Sequence, residues 1–420
     1  MSVVTQEEYK KRREKFLSSM KKESIAIFVS APHQTRSNDT EYLYRQDSNF
    51  YYLTGFKEQN ATLILIKKRK KIHSYLFVTK KDPQQELWSG KVLGKSSAKK
   101  LFLVDRVYHS DKVEKILKRS SAKHLYYDFS RTQTQVEKYK SLLKVSEYKD
   151  ASYTLGLMRL IKSNAEIVLI KKAIEITKEA HHCALSFNKH KRYEYELQAE
   201  IEYIFKKRGA YSDAYSSIVA SANNANTLHY ITNSAPLVKD EPILIDAGCE
   251  YEYYASDITR TIPQGKKFTE PQQELYNMVL DVQKKIIEMV KPKLLRSELQ
   301  AKAVELLTEG LVALKILKGD VAQLIKKEKY KKYYPHGIGH WMGLDVHDAS
   351  PYRYKNGKEI ALNVGMVLTI EPGIYIDKDD KSVPKKYRGI GIRIEDDILV
   401  TKRGYENLSC EIKKDFLIKS

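Results

Sequence analysis

At 420 residues the chain is long enough for two domains with full cores, and a hydrophobic content of 42% is that of an ordinary globular protein. No apolar run approaches the roughly eighteen residues that span a bilayer, and the opening MSVVTQEEYKKRREKF lacks a signal-peptide apolar region, so a cytoplasmic protein with no membrane partner is expected. The formal net charge of +21 raises nucleic-acid binding, but lysine is spread along the chain and no recognition motif accompanies it, so no specific nucleic-acid partner is expected.

Residues 1 to 155 alternate strand-like runs (Ile25 to Val29, Thr62 to Ile66, Tyr75 to Val78, Leu125 to Tyr127) with helical stretches such as Asp111 to Arg119, which reads as an α/β domain. The run KKRKK at 67–71 separates ATLILI from SYLFV and reads as a hairpin tip. His33, His73, His109 and His124 are dispersed, so this domain offers no catalytic constellation. Cys183, Cys249 and Cys410 are scattered and odd in number, which suits a reducing compartment and supports neither a disulfide framework nor a thiolate metal site.

Residues 156 to 420 form a second domain. A capping box of Ser163 with Glu166 opens a long helix, and a further helix from about Tyr193 ends in Lys206, Lys207 and Arg208 before Gly209. Thr269 with Gln272, and Ser297 with Gln300, predict two more capping boxes and two more helices, with strands following each helix pair. Two helices then strands, twice, is the pattern of an internally duplicated α+β domain.

Between the helix pairs, Ile243, Leu244 and Ile245 run into Asp246, and an acidic, aromatic turn leads to Asp257, Thr259 and Thr261, a predicted β-hairpin. Residues an odd number apart across an even-length loop share a face, so Asp246 and Asp257 converge if no bulge intervenes. Carboxylates that close are unfavourable unless protonated or neutralised by a cation. Taken alone, this segment also allows Asp246 to cap a turn and Asp257 to be solvated. Further on, the apolar run Met366 to Ile370 ends at Glu371, and Pro372 stops the ladder. In GIGIRIEDDILV the alternation puts Arg393 and Glu395 on one face. Between them YYPHGIGHWMGLDVHD holds His336, His340 and His347, with Gly337 and Gly339 favouring an extended segment over a helical zinc motif.

These segments resemble the signatures of the pita-bread metallopeptidases, and within them the aminopeptidase P (Xaa-Pro aminopeptidase) family: the DAG hairpin, PHGIGHWMGLDVHD, IEPGIYI and GIRIEDD occur in the family's order. YLYRQDSNFYYLTGF at 42–56 resembles the amino-terminal domain of aminopeptidase P and prolidase. The resemblance implies an α+β architecture: an aminopeptidase P-type domain over 1–155, shaping the substrate channel and the oligomer, then a pseudo-symmetric pita-bread catalytic domain over 156–420. It implies two divalent metal ions, with Asp257 and Glu395 bridging, Asp246 completing one site, and His340 with Glu371 completing the other. By donor hardness and resemblance the metal is Mn²⁺, with Co²⁺ or Zn²⁺ as competitors. A metal-bridging hydroxide would cleave the bond before a penultimate proline, with Glu371 as proton shuttle. His336 and His347 would stabilise the intermediate or orient substrate, and His229 would contact the residue beyond the cleaved bond. Arg393 would anchor the ligand network, Tyr375 would add a hydrogen bond or simply pack, and Trp88 would reach a neighbouring subunit's site or simply pack. A homo-oligomer, dimer or tetramer, follows. The alternatives are a prolidase restricted to dipeptides and a metal-free pita-bread binding module, against which the five retained ligand positions argue.

Overall fold

The computed structural model describes residues 3–131, 133–187 and 189–415. They fall into two compact units, Met1–Met158 and Arg159–Ser420. Among the described residues no helix is long and apolar enough to cross a membrane.

The first unit is built on a six-stranded mixed sheet in the order Arg106–His109, Ile72–Val78, Thr62–Lys67, Ser24–Val29, His124–Tyr127, Glu147–Asp150. Every residue of the central strand Ser24–Val29 is buried, because elements cover both faces. The KKRKK run behaves as expected: Lys67 pairs with Ile72 across an antiparallel hairpin, and Lys68 donates its N–H to the Lys71 carbonyl at 2.8 Å to close the turn. The helix expected over 111–119 is shorter, a 3-10 turn at Ser110–Lys112 followed by an α-helix at Val113–Lys118, whose start has no side-chain cap. Trp88, on the helix Pro83–Ser89, is 90% exposed, so it takes no part in packing the unit's core.

In the second unit the helices Asn164–Ser186 and Glu194–Lys207 precede the sheet formed by Ile218–Ser221, Pro242–Asp246 and Thr259–Pro263. The helices Glu270–Met289 and Arg296–Ala313, with a short third at Val321–Lys326, then precede the sheet of Val367–Ile370, Asp396–Thr401 and Gly404–Asn407. The helix-pair-then-strands pattern therefore occurs twice. Ser163 and Glu166 form the expected reciprocal box, at 3.2 and 2.9 Å. Gln272 accepts from the Thr269 N–H at 3.0 Å, and Gly209 (φ +81°) follows the second helix in the left-handed conformation that glycine tolerates.

The box expected of Ser297 and Gln300 does not form. The helix begins at Arg296, and Glu298 accepts from the Leu295 N–H at 2.8 Å. An ionised carboxylate is the stronger acceptor at a helix amino terminus, so it takes this position. Gln300 is released and accepts from the Ile338 N–H at 2.5 Å, steadying the segment that carries the histidines.

The Asp246 hairpin keeps one register from its base, where Asp246 faces Thr259, to its tip, where Tyr251 faces Tyr254. It is nevertheless bent into two sheets, since the base pairs with Ile218–Ser221 and the tip with Ser212–Asp213, and Asp257 lies in the break. Gly248 permits the bend: a Cβ there would meet the Ser256 carbonyl oxygen at 1.9 Å. Gly248→Ala is expected to destabilise the protein by about 1–3 kcal/mol or more, as overpacking against backbone does. Thermal denaturation checks this, and an unchanged melting temperature would contradict it.

Candidate metal centre

Asp246, Asp257, His340, Glu371 and Glu395 all line one cavity of about 590 Å³ in the second unit. Two overlapping triads of donor atoms lie there, each within 4.8 Å: Asp246, Asp257 and Glu395, and His340, Glu371 and Glu395. A third joins Asp257 and His340 to His347. The His340 Nε2 atom stands 3.3 Å from Asp257 Oδ2 and 3.7 Å from Glu371 Oε1.

Each donor is delivered by a distinct local device. Asp246 ends a fully buried strand, and its neighbour Ala247 is held by its carbonyl to Nε2 of buried His181 at 3.1 Å. Asp257 lies on the return arm, where its N–H donates to Asp397 Oδ2 at 3.1 Å. Residues 338–341 run extended and antiparallel beside Val367–Ile370, with Thr369 N–H to the His340 carbonyl and Glu371 N–H to the Ile338 carbonyl, both 2.9 Å. That pairing sets His340 beside Glu371. Gly339 makes it possible, since a Cβ there would strike the Thr369 carbonyl oxygen at 1.9 Å. The His340 Nδ1–H donates to the Trp341 carbonyl at 3.1 Å, which leaves Nε2 aimed inward.

Around the donors is a second layer of hydrogen bonds. Arg393 Nη2 pairs with Asp246 Oδ2 at 2.6 Å, and Tyr215 donates its hydroxyl to Asp246 Oδ1 at 2.6 Å. Thr259 donates to Glu395 Oε2 at 2.7 Å and accepts from Arg393 Nε at 3.2 Å. The Tyr375 hydroxyl, buried, accepts from Arg393 Nη1 at 3.1 Å and donates to His336 Nε2 at 2.8 Å, while His336 Nδ1–H donates to the Gly337 carbonyl at 2.8 Å. His229 and His347 are exposed at the same cavity, and the His347 ring lies 4.1 Å from that of His340. Trp88 lies in the first unit, exposed on the helix Pro83–Ser89. Sequence patterning missed Tyr215, Asp397 and His181, and gave Gln300 a capping role in place of its bond to Ile338. No local signal marks these contacts, because each acts through a partner distant in the chain.

The electrostatics of the cavity favour cations. Burial, then the Asp257, Glu371 and Asp246 charges, push Glu395 far above the usual carboxylate range. Burial likewise raises Glu371 to about 7, against the opposing charge of His340. Asp246 is raised by burial although Arg393 opposes the shift. Burial lowers His340, but its hydrogen bond to Asp257 and the charges of Asp257 and Glu371 outweigh that and lift it to about 9. Burial holds His336 down, to about 4, so it is neutral. Four carboxylates therefore share a small volume with Arg393 and His340, and divalent cations would supply the further positive charge that such a cluster favours. Hard oxygen donors with one imidazole fit such ions.

Residues 168–402 match the pattern of metallopeptidase family M24, and residues 9–126 that of the aminopeptidase P N-terminal domain. The chain belongs to metallopeptidase family M24. It is 40% identical to the Xaa-Pro aminopeptidase of Haemophilus influenzae over 420 residues, 99% of this chain and 96% of that one. Among solved structures it is similar to aminopeptidase PepP of Pseudomonas aeruginosa, with TM-score 0.95 and 38% identity over 99% of this chain and 97% of that one. It is similar as well to a zinc-substituted Escherichia coli aminopeptidase P in complex with product, with TM-score 0.92 and 37% identity over 98% and 97% of the two chains. An M24 member is a hydrolase that works with divalent metal, and its catalytic unit has the pita-bread fold expected from the sequence.

The shifts above predict how pH and metal interact. Acids whose folded pKa is raised stabilise the fold when protonated, below their unfolded value, and that contribution is lost as pH rises through the folded value, about 7 for Glu371. His340, raised to about 9, loses its contribution in the same direction. Added Mn²⁺ should therefore raise the melting temperature of metal-stripped protein more at pH 8 than at pH 5. Equal increments at both values would contradict this reading.

Proposed function

We propose that the chain is a dimanganese Xaa-Pro aminopeptidase, removing the amino-terminal residue from peptides whose second residue is proline. The observation that carries this is the retention of all five donors in one cavity, on a chain whose first 126 residues include the aminopeptidase P N-terminal pattern. The relatives named Xaa-Pro aminopeptidase align over nearly the whole length of both chains.

In this reading Asp257 and Glu395 would be shared between two ions, with Asp246 holding one and His340 and Glu371 the other. Bound there, two divalent ions supply a water acidic enough to attack at neutral pH and polarise the scissile carbonyl. Glu371, at the cavity wall with Thr369 Oγ1 3.4 Å from its Oε1, takes the proton released on attack and passes it to the departing proline nitrogen as the C–N bond breaks. The arrangement of Arg393, Tyr375 and His336 fixes His336 as a neutral ring facing the substrate. His347, exposed at the cavity, would stabilise the intermediate or orient substrate, and His229, also exposed there, would contact the residue beyond the cleaved bond. A bond before proline is a tertiary amide with no N–H to grip, so recognition falls to shape. Ile218, Leu228, Ile231 and Val346 give the cavity an apolar wall suited to the ring.

Oxygen-rich ligation favours Mn²⁺ over softer-ligand metals. We further assign the protein to the cytoplasm, since its three cysteines are all unpaired. We also assign it to a homo-oligomer in which exposed Trp88 meets a second copy.

Asp257→Asn should lower turnover by more than the roughly 10–100-fold seen for residues that merely orient ligands, with the fold retained. Near-normal rates in excess Mn²⁺ would contradict its bridging role. His347→Ala should cost about 10²–10³-fold in turnover, as loss of one oxyanion-stabilising donor does, with metal content unchanged. Loss of metal in that variant would make His347 a ligand instead. Parallel assays on an Xaa-Pro dipeptide and a longer Xaa-Pro peptide decide the substrate class: cleavage of the longer peptide is expected, and cleavage of the dipeptide alone would make the enzyme a prolidase.

A further inference from the structure

The first unit contains a second large cavity, about 800 Å³, that the peptidase reading does not use. Seven of its twelve lining residues are Lys or Arg, and one is acidic. The cations converge from separate segments. Residues 68–71 supply four from the hairpin turn, Lys118 sits at the end of the helix Val113–Lys118, and Lys123 and Lys144 lie in loops that lead into the strands His124–Tyr127 and Glu147–Asp150. Glu23 precedes the strand Ser24–Val29, so the cavity lies at the end of the sheet where three parallel strands begin.

Two bland accounts of these charges are insufficient. Lysines on a hairpin tip are ordinarily solvated and splayed, and a lysine at a helix carboxyl terminus answers the macrodipole. Lys67 has a structural duty, donating to the carbonyls of Leu17, Ser18 and Met20. The neighbouring cations are exposed as well, yet they line one concavity from four segments, which neither account explains. Its only acid, Glu23, is already engaged by Lys123 at 2.8 Å and Arg69 at 3.5 Å. Among the described residues no ion pair is formed by Lys68, Lys70, Lys71 or Lys144. Like charges gathered in a recess repel one another, and an anion of several charges relieves that repulsion.

We propose that this recess binds a compact polyphosphate-class anion. The lining contains no aromatic side chain on which a base could stack, which argues against single-stranded nucleic acid. Its concave form suits a small multiply charged ligand better than the outside of a duplex or a flat membrane. Ammonium groups are point-charge partners for phosphate oxygens, and lysine needs no bidentate geometry to hold them.

The test is calorimetric titration of the full-length, metal-loaded protein with sodium tripolyphosphate, alongside Lys70→Glu/Lys71→Glu and a charge-matched control, Lys266→Glu/Lys267→Glu. The control residues are exposed and lie in the other unit. Heat from metal stripping is common to the three proteins and cancels between them, and peptidase turnover verifies that each is folded. Wild type and control should bind alike, while the turn variant should bind about tenfold or more weakly, the worth of one charge-assisted contact. Binding should fall steeply as salt is raised. Similar affinity for adenosine triphosphate would assign recognition to the phosphate chain alone, and tighter affinity would assign it to a nucleotide; both uphold the site. No binding, equal weakening in the control, or binding of a DNA duplex in preference to tripolyphosphate would overturn it.

Discussion

Everything in the second unit is arranged around an electrostatic conflict: four carboxylates held in a volume that fully solvated acids would never share. Burial and mutual repulsion push Glu395, Glu371 and Asp246 toward protonation, and the cations among them are already engaged, Arg393 by Asp246 and Tyr375 and the raised His340 by Asp257. A protein surface resolves such repulsion by letting side chains drift into water. Here the donors cannot drift, because threonine, tyrosine and backbone groups hold them. Divalent cations would offset that repulsion, which makes the rigid second layer as much a part of the metal site as the donors themselves.

The duplicated layout explains how one chain assembles such a cluster. Each helix pair backs a small antiparallel sheet, and the donors sit where strands end or bend. Asp246 and Asp257 lie on the first hairpin, and Glu371 and Glu395 lie at the breaks flanking Gly373–Tyr375 and Gly391–Arg393 in the second set. Contact between the halves passes through side chains and through a backbone bond from the Glu395 N–H to the Thr259 carbonyl at 3.1 Å. Thr261 Oγ1 donates to the Arg393 carbonyl at 3.0 Å, and buried Arg260 pairs with buried Asp396 at 2.7 Å. Strand breaks, usually a weakness, here give carboxylates room to turn inward.

The strongest periodic signals in the sequence translated directly. The unbroken register of the Asp246 hairpin, the Ser163 and Thr269 caps, the hairpin turn at 68–71 and the acid-ended apolar runs all obeyed local rules. What local rules could not supply was competition between neighbours. Ser297 and Gln300 satisfy a capping pattern, yet Glu298 lies close enough to displace it, and Gln300 serves the histidine segment instead. Tyr215, His181 and Asp397 act on partners 31, 66 and 140 positions away, distances at which no periodicity survives. Tyr375, which the resemblance implies would add a hydrogen bond or pack, stands between Arg393 and His336, a pairing that local patterning does not show.

Glu395 belongs to both carboxylate triads, so it offers the most direct test of a shared two-ion centre. Calorimetric titration of Mn²⁺ into metal-stripped wild type and Glu395→Gln should show two ions bound per wild-type chain and both affinities weakened together in the variant. Two ions bound by Glu395→Gln with wild-type affinity would contradict the account.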